Sequence, residues 1–247
     1  EEVEKNFKKS GIKITKGVKV SKIQSMKQNA KVYLEKKAND EIIRAERVLL
    51  AVGVTGNINN LGLEDLGIET EAGAIKTDNF NRTNIENIYA IGDVCGPPWL
   101  AHVASAQGHL AAEHSAGLNV NPIDYSNIPG CTYCQPQVGS LGMTEEQALS
   151  SGFKVKVGKF SFQASGKAMA IGNTIGFVKL IFDEKYGELL GAHIVGSEAT
   201  EMIAELGMAK ALESTWDDLS MTVHAHPTLS EAIMEAAMDA QGCSIHQ

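Results

Sequence analysis

Tyr89-Ala90-Ile91-Gly92-Asp93 closes an apolar run that starts at Asn87 and stops on a glycine followed by a carboxylate. The run reads as a buried strand with a tight end. Glycine lets the chain turn sharply, and the carboxylate then projects into the crevice where open α/β sheets bind ligands. An aspartate there either accepts hydrogen bonds from a sugar or polyol hydroxyl or caps the next turn. Pro97-Pro98 and Trp99-Leu100-Ala101-His102 follow, leading into an alanine-rich helical pattern from Val103 that ends at Gly117. The N-terminus of such a helix offers unpaired N–H groups and a partial positive charge to an anionic or electron-rich ring.

Working outward, residues 1–52 begin with Val3 and Phe7 spaced as on an amphipathic helix. The first residue is Glu1 rather than a methionine, which reads as a start inside a longer chain. Short β patterns follow, at Lys19-Val20 to Ile23 and at Lys31-Val32-Tyr33-Leu34-Glu35. A third, Glu46-Arg47-Val48-Leu49-Leu50-Ala51-Val52, is nearly continuous and apolar and is expected to be a strand buried on both faces, ended by Gly53. A helix tail feeding strands in this way is similar to the second half of a nucleotide-binding α/β unit. Residues 57–124 form a middle segment punctuated by Gly62, Gly67 and Gly73.

Residues 125–247 change character. Strands are expected at Gln137–Leu141, Lys154–Phe160, Gly176–Phe182 and Leu189–Val195, with a hairpin turn at Asp183–Gly187. Helices are expected at Thr144–Ser151, Glu198–Glu213 and Pro227–Ala240. An antiparallel sheet with helices on one side is the natural packing. The fold class is therefore α/β followed by α+β, in three parts: 1–56, 57–124 and 125–247.

Composition narrows the function. The net charge is -8, with 30 acidic against 22 basic residues, and no Lys/Arg cluster has the density of a nucleic-acid-binding face. No stretch approaches the roughly 18–20 uninterrupted apolar residues of a membrane helix. Four cysteines in 247 residues are too sparse for a secreted disulfide framework and suit a reducing cytosol.

A second motif is His224-Ala225-His226-Pro227-Thr228-Leu229-Ser230-Glu231. Thr228 and Glu231 have the spacing of a capping box, and proline is at home in a helix's first turn. His226, with a carboxylate five residues on, is equally a base whose imidazolium that carboxylate stabilises, which suits deprotonation of a thiol. Cys131-Thr132-Tyr133-Cys134 has the spacing of a redox pair or of half a zinc site; two ordinary loop cysteines is the reading we adopt, with no metal.

Ala90-Ile91-Gly92-Asp93, Trp99-Leu100-Ala101-His102 and the helix after them resemble the second flavin-binding motif of the pyridine nucleotide-disulfide oxidoreductases, and His226-Pro227-Thr228-x-Ser230-Glu231 resembles the signature of the same family. With Ala225 and Leu229 the run is most similar to the members that oxidise dihydrolipoamide. The resemblance implies FAD and NAD as cofactors. It makes Asp93 the ligand of the ribityl chain, with Trp99, Leu100, Ala101 and His102 at the flavin, the helix N-terminus aimed at its N1–O2 edge and Gly53 close to the nicotinamide nucleotide. Most members continue after that glycine with Arg-Pro, where this chain has Val54-Thr55-Gly56-Asn57. His226 becomes the acid-base group, oriented by Glu231, with His224 given no role.

The resemblance further implies that 1–56 completes an NAD-binding domain, 57–124 completes the flavin site, and 125–247 is an interface domain of a homodimer whose active site is shared between chains. The partners it implies are the acyltransferase core and lipoyl domains of 2-oxoacid dehydrogenase complexes, in the cytoplasm. No G-x-G-x-x-G and no cysteine pair with four residues between occurs in this sequence, so the isolated chain is expected to be inactive. A glutathione-reductase-like disulfide reductase and a pure dimerisation module are the alternatives.

Overall fold

The computed structural model describes residues 1–35 and 41–246 and divides into two compact units, Lys13–Ile123 and Glu1–Ile12 with Asp124–Gln247. Helix α1 (Glu2–Lys9) carries Glu2 and Glu4 in its first turn and Lys8 and Lys9 in its last, complementing its dipole.

In the unit Lys13–Ile123, strands β1 (Lys19–Ser25), β2 (Ala30–Glu35) and β3 (Glu41–Ala45) pair antiparallel in sequence order. Val20 lies opposite Leu34, and Val32 lies between Ile23 and Ile43, so branched side chains meet across the ladder. The hairpin β4 (Thr70–Glu71) and β5 (Ala74–Ile75) and helix α2 (Ala101–Ser115) complete the unit. Its small core is Leu63, Ile68, Ile75 and Ala90.

Two expected strands of this unit are absent. Residues 47–50 take no strand conformation, and Leu49 and Val52 are each 90% exposed. A strand buried on both faces needs neighbours to pair its backbone, and no described strand lies beside this run. The apolar pattern records what the residues would bury, not whether a neighbour is there. Asn87–Asp93 is likewise no strand: only Tyr89 makes an isolated bridge, to Arg82, and only Ala90 is buried. Its backbone pairs instead with a tight loop, Thr83 N–H to Ile88 O at 2.9 Å and Ala90 N–H to Asn81 O at 3.0 Å.

The other unit is built on β6 (Gly130–Thr132), β7 (Gln137–Gly142), α3 (Glu145–Ser150), β8 (Val155–Ser161), α4 (Gly166–Ala170), β9 (Phe177–Asp183), β10 (Leu189–Gly196), α5 (Ala199–Ala211), α6 (Trp216–Met221) and α7 (Glu231–Ala240). The sheet is antiparallel, in the order β6-β7-β10-β9-β8. All four strands read from the sequence are present to within a residue at each end. The hairpin turn is closed by Gly187 N–H to Asp183 O and Tyr186 N–H to Asp183 Oδ2, each 2.9 Å.

Alternation along β9 sorts its side chains: Val178, Leu180 and Phe182 join Ile203 and Leu206 of α5 and Ile233 and Ala236 of α7 in the main core. Ile181 points the other way, against Ala148 of α3 and Leu190. Helices thus cover both faces rather than one, because α3, though short, is fixed by a full capping box between Thr144 and Gln147. Helix α7 lies close against β8 because residue 158 is glycine. A Cβ there would stand 1.8 Å from the Ala236 carbonyl oxygen and 2.8 Å from the Ala240 nitrogen.

Helix α7 starts at Glu231, four residues later than expected, with Ser230 at its N-cap and no side-chain cap. The Thr228–Glu231 spacing is not a capping box with Thr228 as cap. Residues 226–229 form a turn that delivers its hydrogen bonds forward to the Glu231 carboxylate.

Candidate functional site

The turn before α7 presents an imidazole on a fixed carboxylate. His226 Nδ1 is 2.8 Å from Glu231 Oε1, and Glu231 Oε2 accepts from the Thr228 N–H at 2.8 Å. Thr228 Oγ1 donates to the Ala225 carbonyl at 2.7 Å, tightening the loop around the ring. Burial pushes the Glu231 carboxyl up, but the Thr228 N–H, the His226 ring and the His224 charge together hold it below the usual carboxylate range. An ionised carboxylate only accepts, so the proton it meets is on Nδ1 and the lone pair of the neutral ring is on Nε2. The His226 side chain is 77% exposed, which leaves the ring open to solvent.

Beside the pair is a cleft of about 250 Å³, lined by Phe160, Ser165, Met169 and Met234 as well as by the pair itself. Glu235, one turn along α7, reaches the same cleft and holds His246 through Nδ1 at 2.6 Å. His224 is placed quite differently from His226. Its side chain is 6% exposed, with Nδ1 3.0 Å from the Thr222 carbonyl and Nε2 2.7 Å from Glu205 Oε1. The sequence motif singled out His224 but gave no hint of Glu205, a partner on another helix.

The other unit carries the second candidate. Gly92 adopts φ 74 and begins a 3-10 turn, Gly92–Cys95, that contains Asp93. The Gly92 N–H donates to Gln107 Oε1 at 2.7 Å, and a Cβ at Gly92 would stand 3.2 Å from Ala104 Cβ. Both contacts tie the aspartate's turn to α2. Gln107 was not read from the sequence; its position one helical face along from Val103 was the available signal.

The helix begins at Ala101, two residues earlier than expected, so Ala101 and His102 lie in its first turn, both exposed. Leu100 is its N-cap and supplies no side-chain hydrogen bond. Asp93 is exposed and makes no side-chain hydrogen bond among the described residues. An unpaired carboxylate tied to an uncapped helix N-terminus fits a polyol chain leading to an electron-rich ring edge.

Trp99 lines a cavity of about 470 Å³ in this unit together with Thr55, Gly56, Cys95 and Gly96. A Cβ at Gly56 would stand 2.8 Å from the Asp93 carbonyl oxygen, and a Cβ at Gly53 would meet nothing within 4 Å. Burial pushes the Cys95 thiol up to about 11. Cys131 and Cys134 are free thiols, Cys134 lying 3.0 Å from the Pro136 carbonyl. Among the described residues no three His, Cys, Asp or Glu side chains are arranged to hold a metal ion, and no helix is long and apolar enough to cross a membrane.

Two family models match the chain: pyridine nucleotide-disulphide oxidoreductase over residues 1–108, and the dimerisation domain of the pyridine nucleotide-disulphide oxidoreductases over 128–237. Dihydrolipoyl dehydrogenase of Rhizobium etli is 48% identical over 240 residues, covering 96% of this chain and 50% of that protein. Dihydrolipoyl dehydrogenase of Bacillus subtilis is 43% identical over 247 residues, covering 99% of this chain and 52% of that protein. The chain thus spans about half the length of the curated relatives it matches. Among solved structures, LpdA from Mycobacterium tuberculosis superposes with a TM-score of 0.88 at 25% identity, over 95% of this chain and 51% of that one. The HOCl-induced flavoprotein disulfide reductase RclA from Escherichia coli shares the fold, with a TM-score of 0.88 at 24% identity, over 96% of this chain and 54% of that one.

Proposed function

The chain belongs to the pyridine nucleotide-disulphide oxidoreductase family, and from that premise we propose that it carries the acid-base half of a dihydrolipoyl dehydrogenase. In this reading 1–56 completes an NAD-binding domain, 57–124 a flavin site, and 125–247 the interface of a cytoplasmic homodimer. The observation that supports it is the His226 ring, held through Nδ1 by Glu231 and open to solvent.

His226 takes the proton from a thiol of dihydrolipoamide brought to Nε2, and the thiolate so formed is the species that attacks a disulfide. Glu231 fixes the tautomer and steadies the imidazolium while it holds that proton. The cleft beside them, with Phe160, Met169 and Met234 on its wall, accommodates an apolar thioalkyl arm. In the other unit Asp93 would hold the ribityl hydroxyls of FAD, and the first turn of α2 with Leu100, Ala101 and His102, together with Trp99, would bind its ring. Gly53 is assigned to the nicotinamide side. Bound FAD supplies the two-electron relay between the disulfide and NAD.

The 247-residue sequence contains no cysteine pair with four residues between and no G-x-G-x-x-G, so supplied with FAD it is expected to show no turnover. The lipoyl domains of a 2-oxoacid dehydrogenase complex, docked on its acyltransferase core, are the proposed source of substrate. The test is the substrate profile of the full-length protein with NAD. Rapid oxidation of dihydrolipoamide with indifference to glutathione supports the reading. The reverse preference moves the protein to a glutathione-reductase-like activity.

A further inference from the structure

We infer that His224 and Glu205 form a clamp that positions the His226 base, an inference that rests on the base assignment above. The loop from Thr222 to Ser230 contains neither helix nor strand, so its conformation is set by side-chain hydrogen bonds. Behind the base it is tied down by Thr228, which donates to Ala225 O and Glu231 Oε2. In front of the base there are two further ties. Thr222 Oγ1 donates to the Asp218 carbonyl at 2.7 Å, fixing the loop to the end of α6. His224 then spans from the Thr222 carbonyl to Glu205, fixing it to α5.

Two histidines with one residue between them therefore do opposite things. One is exposed; the other is buried with both nitrogens engaged. Each ring nitrogen of His224 thus has an oxygen within hydrogen-bonding distance, the Thr222 carbonyl on one side and the Glu205 carboxylate on the other. Glu205 is a firm anchor because Ile203 and Leu206 beside it are packed in the main core. Without the clamp, Thr222–Ala225 keeps its ties to α6 and to Thr228 but loses the one to α5, and the His226 ring samples orientations away from Glu231. Misplacement of a proton acceptor by about 1 Å slows its step by a factor on the order of 100.

A buried histidine that merely fills space predicts a different outcome, and two readouts separate them. The first is the ¹⁵N spectrum of the histidine rings in the 247-residue chain, recorded for Glu205→Gln, which keeps the volume, and for His224→Phe. The native chain is expected to show His226 as the single Nδ1–H tautomer. Both variants are expected to show averaged tautomers at His226 while the backbone amide spectrum of the sheet is unchanged. The second is turnover of the full-length dimer. The ratio of dihydrolipoamide oxidation to reduction of an artificial acceptor by NADH is expected to fall about 10- to 100-fold in kcat, with KM unaltered. His224→Gln, whose amide still donates to Glu205, is expected to recover part of the loss.

A His226 ring that keeps its single tautomer in Glu205→Gln and His224→Phe overturns the clamp, as does an equal fall of both activities. His226→Gln in the same assay tells the two readings apart. Unimpaired thiol oxidation in that variant defeats the base assignment, whereas its loss together with normal Glu205→Gln turnover defeats the clamp alone.

Discussion

Glu231 turns its carboxylate back from the first turn of α7 to the Nδ1 of His226, 2.8 Å away, and uses its second oxygen on the backbone of Thr228. One side chain thereby fixes a ring, a turn and the start of a helix. Glu231→Gln keeps the shape but not the charge. Thiol oxidation by the full-length protein is expected to fall about 10- to 100-fold, because the tautomer and the imidazolium both lose their partner. The chain also loses a pH-dependent contribution to stability. The folded carboxyl ionises below its ordinary value, so that contribution is complete above about pH 4.5 and disappears as pH falls through the lower folded value. Urea titrations of the parent between pH 6 and 3 should steepen relative to Glu231→Gln; parallel curves would contradict the assignment.

Gly158 sets how closely α7 approaches the sheet. Gly158→Ala places a methyl on the Ala236 carbonyl, so α7 must move, and a loss of about 1–3 kcal/mol is expected in urea unfolding. Gly207→Ala is the opposite case. Position 207 lies within α5, a Cβ there would meet nothing within 4 Å, and the substitution should gain about 0.5–1 kcal/mol. Equal effects at the two positions would show that helix–sheet separation is not set at Gly158.

His193 lies on β10 with its Nε2 3.0 Å from the Met143 carbonyl. Burial, helped by Lys179 and opposed by that carbonyl, holds its pKa below the ordinary value. The unfolded chain therefore binds this proton first, and stability present above about pH 6.5 declines as pH falls toward the folded value. His193→Gln should remove that part of the pH dependence. A parent whose midpoint is flat from pH 7 to 5 would count against it.

Cys95 and Cys243 should differ in alkylation rate. With Cys95 pushed to about 11, on the order of 0.1% of it is thiolate at pH 8, whereas Cys243 is exposed. Mass spectrometry after brief iodoacetamide treatment should find Cys243 modified first. Prior modification of Cys95 would mean that its pocket opens.

The C-terminal unit was the most legible part of the sequence. Strands β7 to β10 alternate or run apolar because their neighbours lie within the same stretch, 130–196, so pattern and partner coincide. Val48–Val52 and Asn87–Asp93 carry equally strong apolar patterns and are not strands, because the pattern of a run says nothing about who pairs with it. The motif spacing put His226 and Glu231 together because five residues span one turn. His224 and Glu205 are 19 residues apart on different elements, Gln107 reaches Gly92 across 15, and no local pattern reports such contacts. Gly56, the glycine against Asp93, stood within the very stretch that departs from the Arg-Pro pattern.

The most direct measurement is single-turnover reduction of the full-length protein by dihydrolipoamide, comparing the parent with His226→Gln. The account predicts that reduction slows by about 100- to 10,000-fold in the variant, with the dimer and its flavin content retained. Reduction at the parental rate would mean that the thiol proton goes elsewhere, and the role given to His226 would be wrong.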